Sequence, residues 1–209
     1  MSEVVLYDYW RSSAAYRVRI ALNLKGVAYR SVPIDLSQGA QSGADYVALN
    51  PQGLVPALAI NGLLLTQSLA IIDYLDANYA DPPMVSSDPA SRSRTLAQAL
   101  IIAADIHPIN NLRVLNYLRR ELGQGEEAVN RWYRHWIAEG LAALEAQAPE
   151  HGLFGGAQPN MADVCLVPQL ANARRFDQPL EAFPKLVRID AVLRELPAFA
   201  AAAPEAVKI

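Results

Sequence analysis

LYDYWRSSAAYRVRIAL, residues 6–22, decides how the chain is read. An apolar, strand-like run stops at two adjacent serines and restarts as a basic, amphipathic helix. One hydroxyl is enough to cap a helix. Two of them at a strand-to-helix junction, with Arg11 just before, point to a site for an anion or a thiolate. A helix N-terminus carries unsatisfied N–H groups and the positive end of the dipole. With a hydroxyl donor added, such a place lowers a thiol pKa below its unperturbed ~8.5. Ala14 and Ala15 follow the serines, and the only cysteine of the chain is Cys165. A sulfur at Ser12 and Ser13 therefore has to arrive on a ligand.

Outward from this junction, residues 4–10 read as a strand and 13–25 as a helix stopped by Gly26. Residues 29–35 alternate like a second strand, so the first thirty-five residues make a βαβ unit with a right-handed crossover. A short helix over 45–49 follows, then NPQGLVPALAINGLLL, in which Asn61-Gly62 between apolar runs is a hairpin signal. Residues 68–79 are helical again, with Leu69, Ile71, Ile72 and Leu75 on an apolar face. The order β-α-β-α-β-β-α is the thioredoxin-like arrangement. DPPMVSSDP, residues 81–89, reads as a linker. Beyond it lie long helical periodicities over 90–122, 126–148, 161–176 and 184–196. The expected fold class is thus α/β plus all-α: a thioredoxin-like domain over 1–81, a linker over 82–89 and an all-helical domain over 90–209.

The chain has 209 residues, 52% hydrophobic and 19% charged, enough for a substantial core and too apolar for disorder. Its net charge is -3 and its pI about 5.6, which leaves no electrostatic footprint for nucleic acid. A single cysteine excludes a disulfide framework or a cysteine metal cluster within one chain, and His107, His135 and His151 show no ligand spacing. No basic, apolar leader opens the sequence and no apolar run reaches ~18 residues. No membrane span and a cytoplasmic protein are the expectations.

Further candidates lie along the chain. The Val55-Pro56 bond enters a strand and is a candidate cis peptide; that geometry would turn Val55's N–H and C=O outward to pair with a peptide-like ligand. The alternative is an ordinary edge-strand proline. Gln67 and Ser68 open a helix whose N-terminus suits a carboxylate, with plain capping as the alternative. In DIHPINNLRVL, His107, Asn110 and Arg113 recur at intervals of three and would share a helix face, either as a site or as a solvated stripe beside a Pro108 kink. Asn160 and Asp163 read as a capping box, Cys165 as a packed small hydrophobe, and Arg174-Arg175 as favouring a helix C-terminus.

These motifs together resemble the zeta-class glutathione transferases, the maleylacetoacetate isomerases, with bacterial maleylpyruvate isomerases sharing the pattern. RSSAAYRVRIAL is similar to that class's RSSCSxRVRIAL. The likeness continues through NPQGLVPAL, QSLAIIDYL, DIHPINNLRVL and MADVCLVPQLANARRF, and so spans nearly the whole chain. The resemblance implies glutathione as cofactor and a site built as follows. Ser12 would hold the glutathione sulfur with Ser13 beside it, and Val55, with Pro56, would pair with the cysteinyl backbone. Gln67 and Ser68 would take the γ-glutamyl end, Gln41 the glycyl end, and Asn110 a further contact. Arg11, Arg113 and Arg175 would clamp a small dicarboxylate substrate, since the planar guanidinium fork matches a carboxylate. Arg11, Ser12 and Ser13 would be the catalytic group, while Arg17 would support the helix or glutathione. A homodimer is implied as well. One departure stands out: the family's cysteine after the serines is Ala14 here. Two competing readings keep the fold, namely conjugation or dehalogenation of small electrophiles by glutathione, and a non-catalytic binding protein.

Overall fold

The computed structural model describes residues 3–208. In chain order, the first elements are β1 (Val5–Asp8), α1 (Ser13–Leu24), β2 (Arg30–Pro33), α2 (Ala44–Leu49), β3 (Ala57–Ile60), β4 (Leu63–Thr66) and α3 (Ser68–Asn78). Then come α4 (Pro89–Leu100), α5 (His107–Ile109), α6 (Leu112–Arg120), α7 (Glu126–Gln147), α8 (Met161–Arg175) and α9 (Pro184–Arg194). Two short helices close the chain, α10 (Pro197–Ala200) and α11 (Pro204–Val207). The chain divides into two compact units. The first runs up to Pro83 and takes in the chain from Glu195 onward; the second is Met84–Arg194.

In the first unit the sheet order is β2-β1-β3-β4, with β1 parallel to β2 and antiparallel to β3, and β3 antiparallel to β4. That is the thioredoxin-like order expected from the sequence. The β3–β4 turn holds Asn61 at φ 52° and Gly62 at φ 77°, the left-handed pair that a two-residue hairpin requires. α1 buries every residue from Ser13 to Leu22, and α3 contributes Ile71, Ile72 and Leu75 to the core. Register gathers the loops that matter. Tyr7 pairs with Ala57, and Ala57 with Thr66. The exit of β1, the entry of β3 and the exit of β4 therefore meet at one end of the sheet.

The end of the chain departs from the expectation that 90–209 form one helical domain: residues 195–208 pack with the first unit. The reason is a row of donors on α1. Tyr16 Oη donates to the Phe199 carbonyl, Asn23 Nδ2 to Ala198 (2.9 Å) and Arg19 Nε to Ala202 (2.9 Å). Arg19 also binds both oxygens of Asp8 at 2.7 and 2.8 Å and gives its remaining nitrogen to the Trp10 carbonyl at 3.1 Å. This buried pair is satisfied on every side, which is the condition for tolerating it; losing one partner typically costs about 3–5 kcal/mol. Phe199 fills the space behind, with no exposed surface.

The stretch read as a linker is pinned at both ends. Lys25 Nζ donates to the carbonyls of Tyr79 and Pro82, and to Asp76 at 2.7 Å. Met84 and Val85 are buried in the second unit, where Met161 N–H donates to the Met84 carbonyl (2.9 Å).

In the second unit the sequence predicted one helix over 90–122. Instead α4 passes into a π-helical turn, Ile101–Ile106, then α5, and breaks at Asn110-Asn111. Asn111 is extended and caps α6 with its own side chain, which accepts from Arg113 N–H at 3.2 Å. Asn110 and Arg113 consequently do not share a helix face; a local side-chain cap outcompeted continuation of the helix. The π turn lies against Gly140 of α7, where an added Cβ would come within 2.3 Å of Ile106. α8 starts on the capping box read from the sequence.

Candidate active site

Ser12 is the N-cap of α1, its Oγ accepting from Ala15 N–H at 3.2 Å. Its own N–H donates to the Tyr9 carbonyl (2.8 Å), which fixes the turn out of β1. A hydroxyl has one donor and two acceptor positions. The cap uses an acceptor and leaves the O–H to point at a ligand, so capping and thiolate binding are compatible in one side chain. Ser12 is half-buried and Ser13 buried. Arg11, next to them, is exposed, with its guanidinium 5.2 Å from the centre of the Trp10 ring.

The Val55-Pro56 bond is cis, as the sequence suggested. The loop before it is held by the Leu54 carbonyl, which accepts from Tyr46 Oη and Asn50 Nδ2, both at 2.7 Å. Among the described residues no backbone hydrogen bond engages Val55. Gly53 sits at φ 60°, and a Cβ on it would press on the Gln41 carbonyl at 3.0 Å, so the two loops are in close contact. Gln41 itself lies in a 3-10 turn, Ala40–Ser42.

Gln67 precedes α3 at φ 69°, a left-handed conformation that a non-glycine residue seldom adopts outside functional sites. Its amide donates to Gln52 Oε1 at 2.8 Å. Ser68, the first residue of α3, accepts from the buried Arg17 at 3.2 Å. Since Arg17 can only donate, the bond leaves the Ser68 O–H able to donate to an acceptor such as a carboxylate. By the register above, Ser12, Val55 and Ser68 stand at the same end of the sheet.

The remaining candidates belong to the second unit. Asn110 is buried, its Nδ2 donating to the Tyr133 carbonyl at 3.1 Å, and its Oδ1 has no hydrogen-bond partner among the described residues. Tyr133, on α7, stacks on Phe176 with ring centres 3.6 Å apart and planes 15° off parallel. The Arg175 guanidinium lies 5.0 Å from the centre of that same Phe176 ring. Burial raises the Tyr133 phenol above its ordinary pKa, and the charge of Arg175 pulls it back. The structure thus joins Asn110 to Arg175 through Tyr133, a residue the sequence reading missed. Its only signal was its place in the aromatic run RWYRHW, which periodicity assigns to packing. Arg113 is exposed on α6. Arg174 does not simply favour its helix end, as the sequence suggested: it pairs with the buried Asp190. Cys165 is wholly buried. Among the described residues no cluster of histidine, cysteine and carboxylate side chains could hold a metal. No helix of the described residues is long and apolar enough to cross a membrane.

A thioredoxin-like unit with a hydroxyl-capped helix start, followed by an α-helical unit, is the architecture of a glutathione transferase. The glutathione S-transferase N-terminal domain family matches residues 2–77, and the C-terminal domain family matches 126–205. A probable maleylacetoacetate isomerase of Vibrio cholerae is 52% identical over 98% of this chain and 97% of its own. A solved maleylpyruvate isomerase, a bacterial zeta-class glutathione transferase, superposes with a TM-score of 0.95 at 44% identity, covering 98% of both chains. The maleylacetoacetate isomerase of Methylobacterium extorquens, solved with malonate and glutathione bound, gives 0.93 at 38% identity over 97% of both. The chain belongs to the zeta-class glutathione S-transferase family.

Proposed function

We propose that this protein is a glutathione-dependent cis-trans isomerase that converts a maleyl keto-diacid, maleylacetoacetate or maleylpyruvate, to its fumaryl isomer. The observation that carries the reading is the start of α1, a hydroxyl donor at a helix N-terminus with no thiol of its own. Glutathione would lie with its sulfur at Ser12, beside Ser13, and its cysteinyl backbone against Val55 and Pro56. Its γ-glutamyl group would lie at Gln67 and Ser68, with Gln41 at the glycyl end. The unpartnered Asn110 oxygen would accept an N–H from the ligand. Arg11, Arg113 and Arg175 are assigned to the substrate carboxylates, a role supported by the malonate bound to the Methylobacterium relative. The homodimer and the cytoplasmic location go with this reading.

The chemistry follows from what a conjugated cis double bond needs. It cannot rotate until its double-bond character is removed. Addition of the thiolate to the conjugated carbon does this and leaves an enolate, whose charge sits where arginines and hydroxyls can meet it. Rotation about the new single bond and expulsion of the thiolate give the trans acid and return glutathione unchanged. Ala14 does not block this route, because the nucleophile is the ligand's sulfur.

The test is an ultraviolet assay of both maleyl acids with and without glutathione. Isomerisation that requires glutathione and consumes none is expected. Consumption of glutathione with chlorinated electrophiles and no isomerisation would assign the chain to conjugation.

A further inference from the structure

We propose that Tyr133 is a positioning residue, holding the Arg175 guanidinium in the orientation that receives a substrate carboxylate. The inference rests on the isomerase reading for the identity of the substrate, and on geometry for the rest. Arg175 ends α8 on the surface, where a long side chain has many rotamers and loses their entropy on binding. Two groups limit that freedom. The Phe176 ring lies beneath the guanidinium at 5.0 Å, and Tyr133 backs that ring in a 3.6 Å stack. Tyr133 is itself fixed, because it is buried on α7 and its carbonyl is held by Asn110. The order of support is therefore Asn110, Tyr133, Phe176 and Arg175, all within one unit.

Donor chemistry sharpens the point. A guanidinium has five donors and no acceptor. Held over the Phe176 ring by a cation–π contact, Arg175 spends none of them there. Burial keeps the phenol protonated at neutral pH, with Arg175 opposing that rise. A carboxylate brought to Arg175 then meets an arginine already oriented, with a neutral donor close by.

Tyr133→Leu removes the ring stacked on Phe176 and keeps the backbone carbonyl that Asn110 holds, whereas Tyr133→Phe keeps both. In Tyr133→Leu we expect KM for the maleyl acid and the malonate dissociation constant, measured by calorimetry on the glutathione-loaded protein, both to rise about tenfold, the upper range for losing an aromatic pair, and Tyr133→Phe to match wild type. The dissociation constant for glutathione should not move. Arg175→Ala should raise the same two quantities, and the double variant should be no worse than Arg175→Ala alone, because Tyr133 acts through Arg175. A Tyr133→Leu protein that matches wild type in both readouts, or effects that simply add in the double variant, would overturn the proposal. If wild type isomerises neither acid but Tyr133→Leu still weakens malonate, the isomerase reading fails and the support of Arg175 by Tyr133 stands.

Discussion

Ser12 and Ser68 solve the same problem with the same atom. Each hydroxyl oxygen accepts from a fixed donor, the Ala15 N–H in one case and Arg17 in the other, and each O–H is thereby left able to donate to a ligand. The Ser12→Ala variant separates the two uses of that oxygen. Loss of the cap should cost about 1 kcal/mol of stability. Loss of the donated hydrogen should raise the thiol pKa of bound glutathione toward its free value, read from thiolate absorbance against pH. A stability loss with no change in that pKa would leave Ser12 a cap and nothing more. These local features were legible in the sequence, because a cap, an X-Pro bond and a helix start are set by neighbours in the chain. Tyr133 was not. Its meaning comes from Arg175, forty-two positions away, and no spacing rule reaches that far.

At the scale of elements, the sequence was readable wherever one rule acted alone. The Asn61-Gly62 hairpin and the Asn160 capping box formed as their residue types require. The helix expected over 90–122 failed because apolar periodicity runs on through a place where the Asn111 side chain offers the backbone a better partner. The capping box carries a further burden. Asp163 is wholly buried and accepts from the N–H groups of Phe154, Gly155 and Asn160. Burial raises its pKa from 3.8 to about 6, with those three bonds holding it back from going higher. The folded protein then keeps a proton that the unfolded chain has already lost. The stability due to this proton is full below the unfolded pKa and disappears as pH rises through the folded one. The advantage of wild type over Asp163→Ala in denaturant unfolding should therefore shrink by about 1 kcal/mol from about pH 5 to about pH 7. An advantage that grows over that range would mean that the three N–H donors, not burial, set the titration.

For the whole molecule, the order of the elements placed the thioredoxin-like region correctly, and alternation followed by long helical repeats marked the change of character. What the order could not reveal is that the first unit is discontinuous. The alanine-rich tail reads as more of the helical region, and only the donors lined up on α1 give it another address. Truncation after Arg194 removes Phe199 and the Ala202 carbonyl together. It should destabilise the first unit by about 3–5 kcal/mol, the usual cost of emptying a buried phenylalanine site. Stepwise denaturant unfolding, with the first unit melting early, is the expected signature; a single transition at the wild-type midpoint would show that the tail contributes nothing.

That discontinuity has a consequence for how the protein is made. A nascent chain usually completes its N-terminal domain while the rest is still being translated. Here residues 3–83 must wait, with Arg19 lacking its tail carbonyl, until the whole helical insertion has emerged behind them. A lesion in residues 195–208 would therefore do its damage to the unit whose other residues are synthesised before the helical insertion.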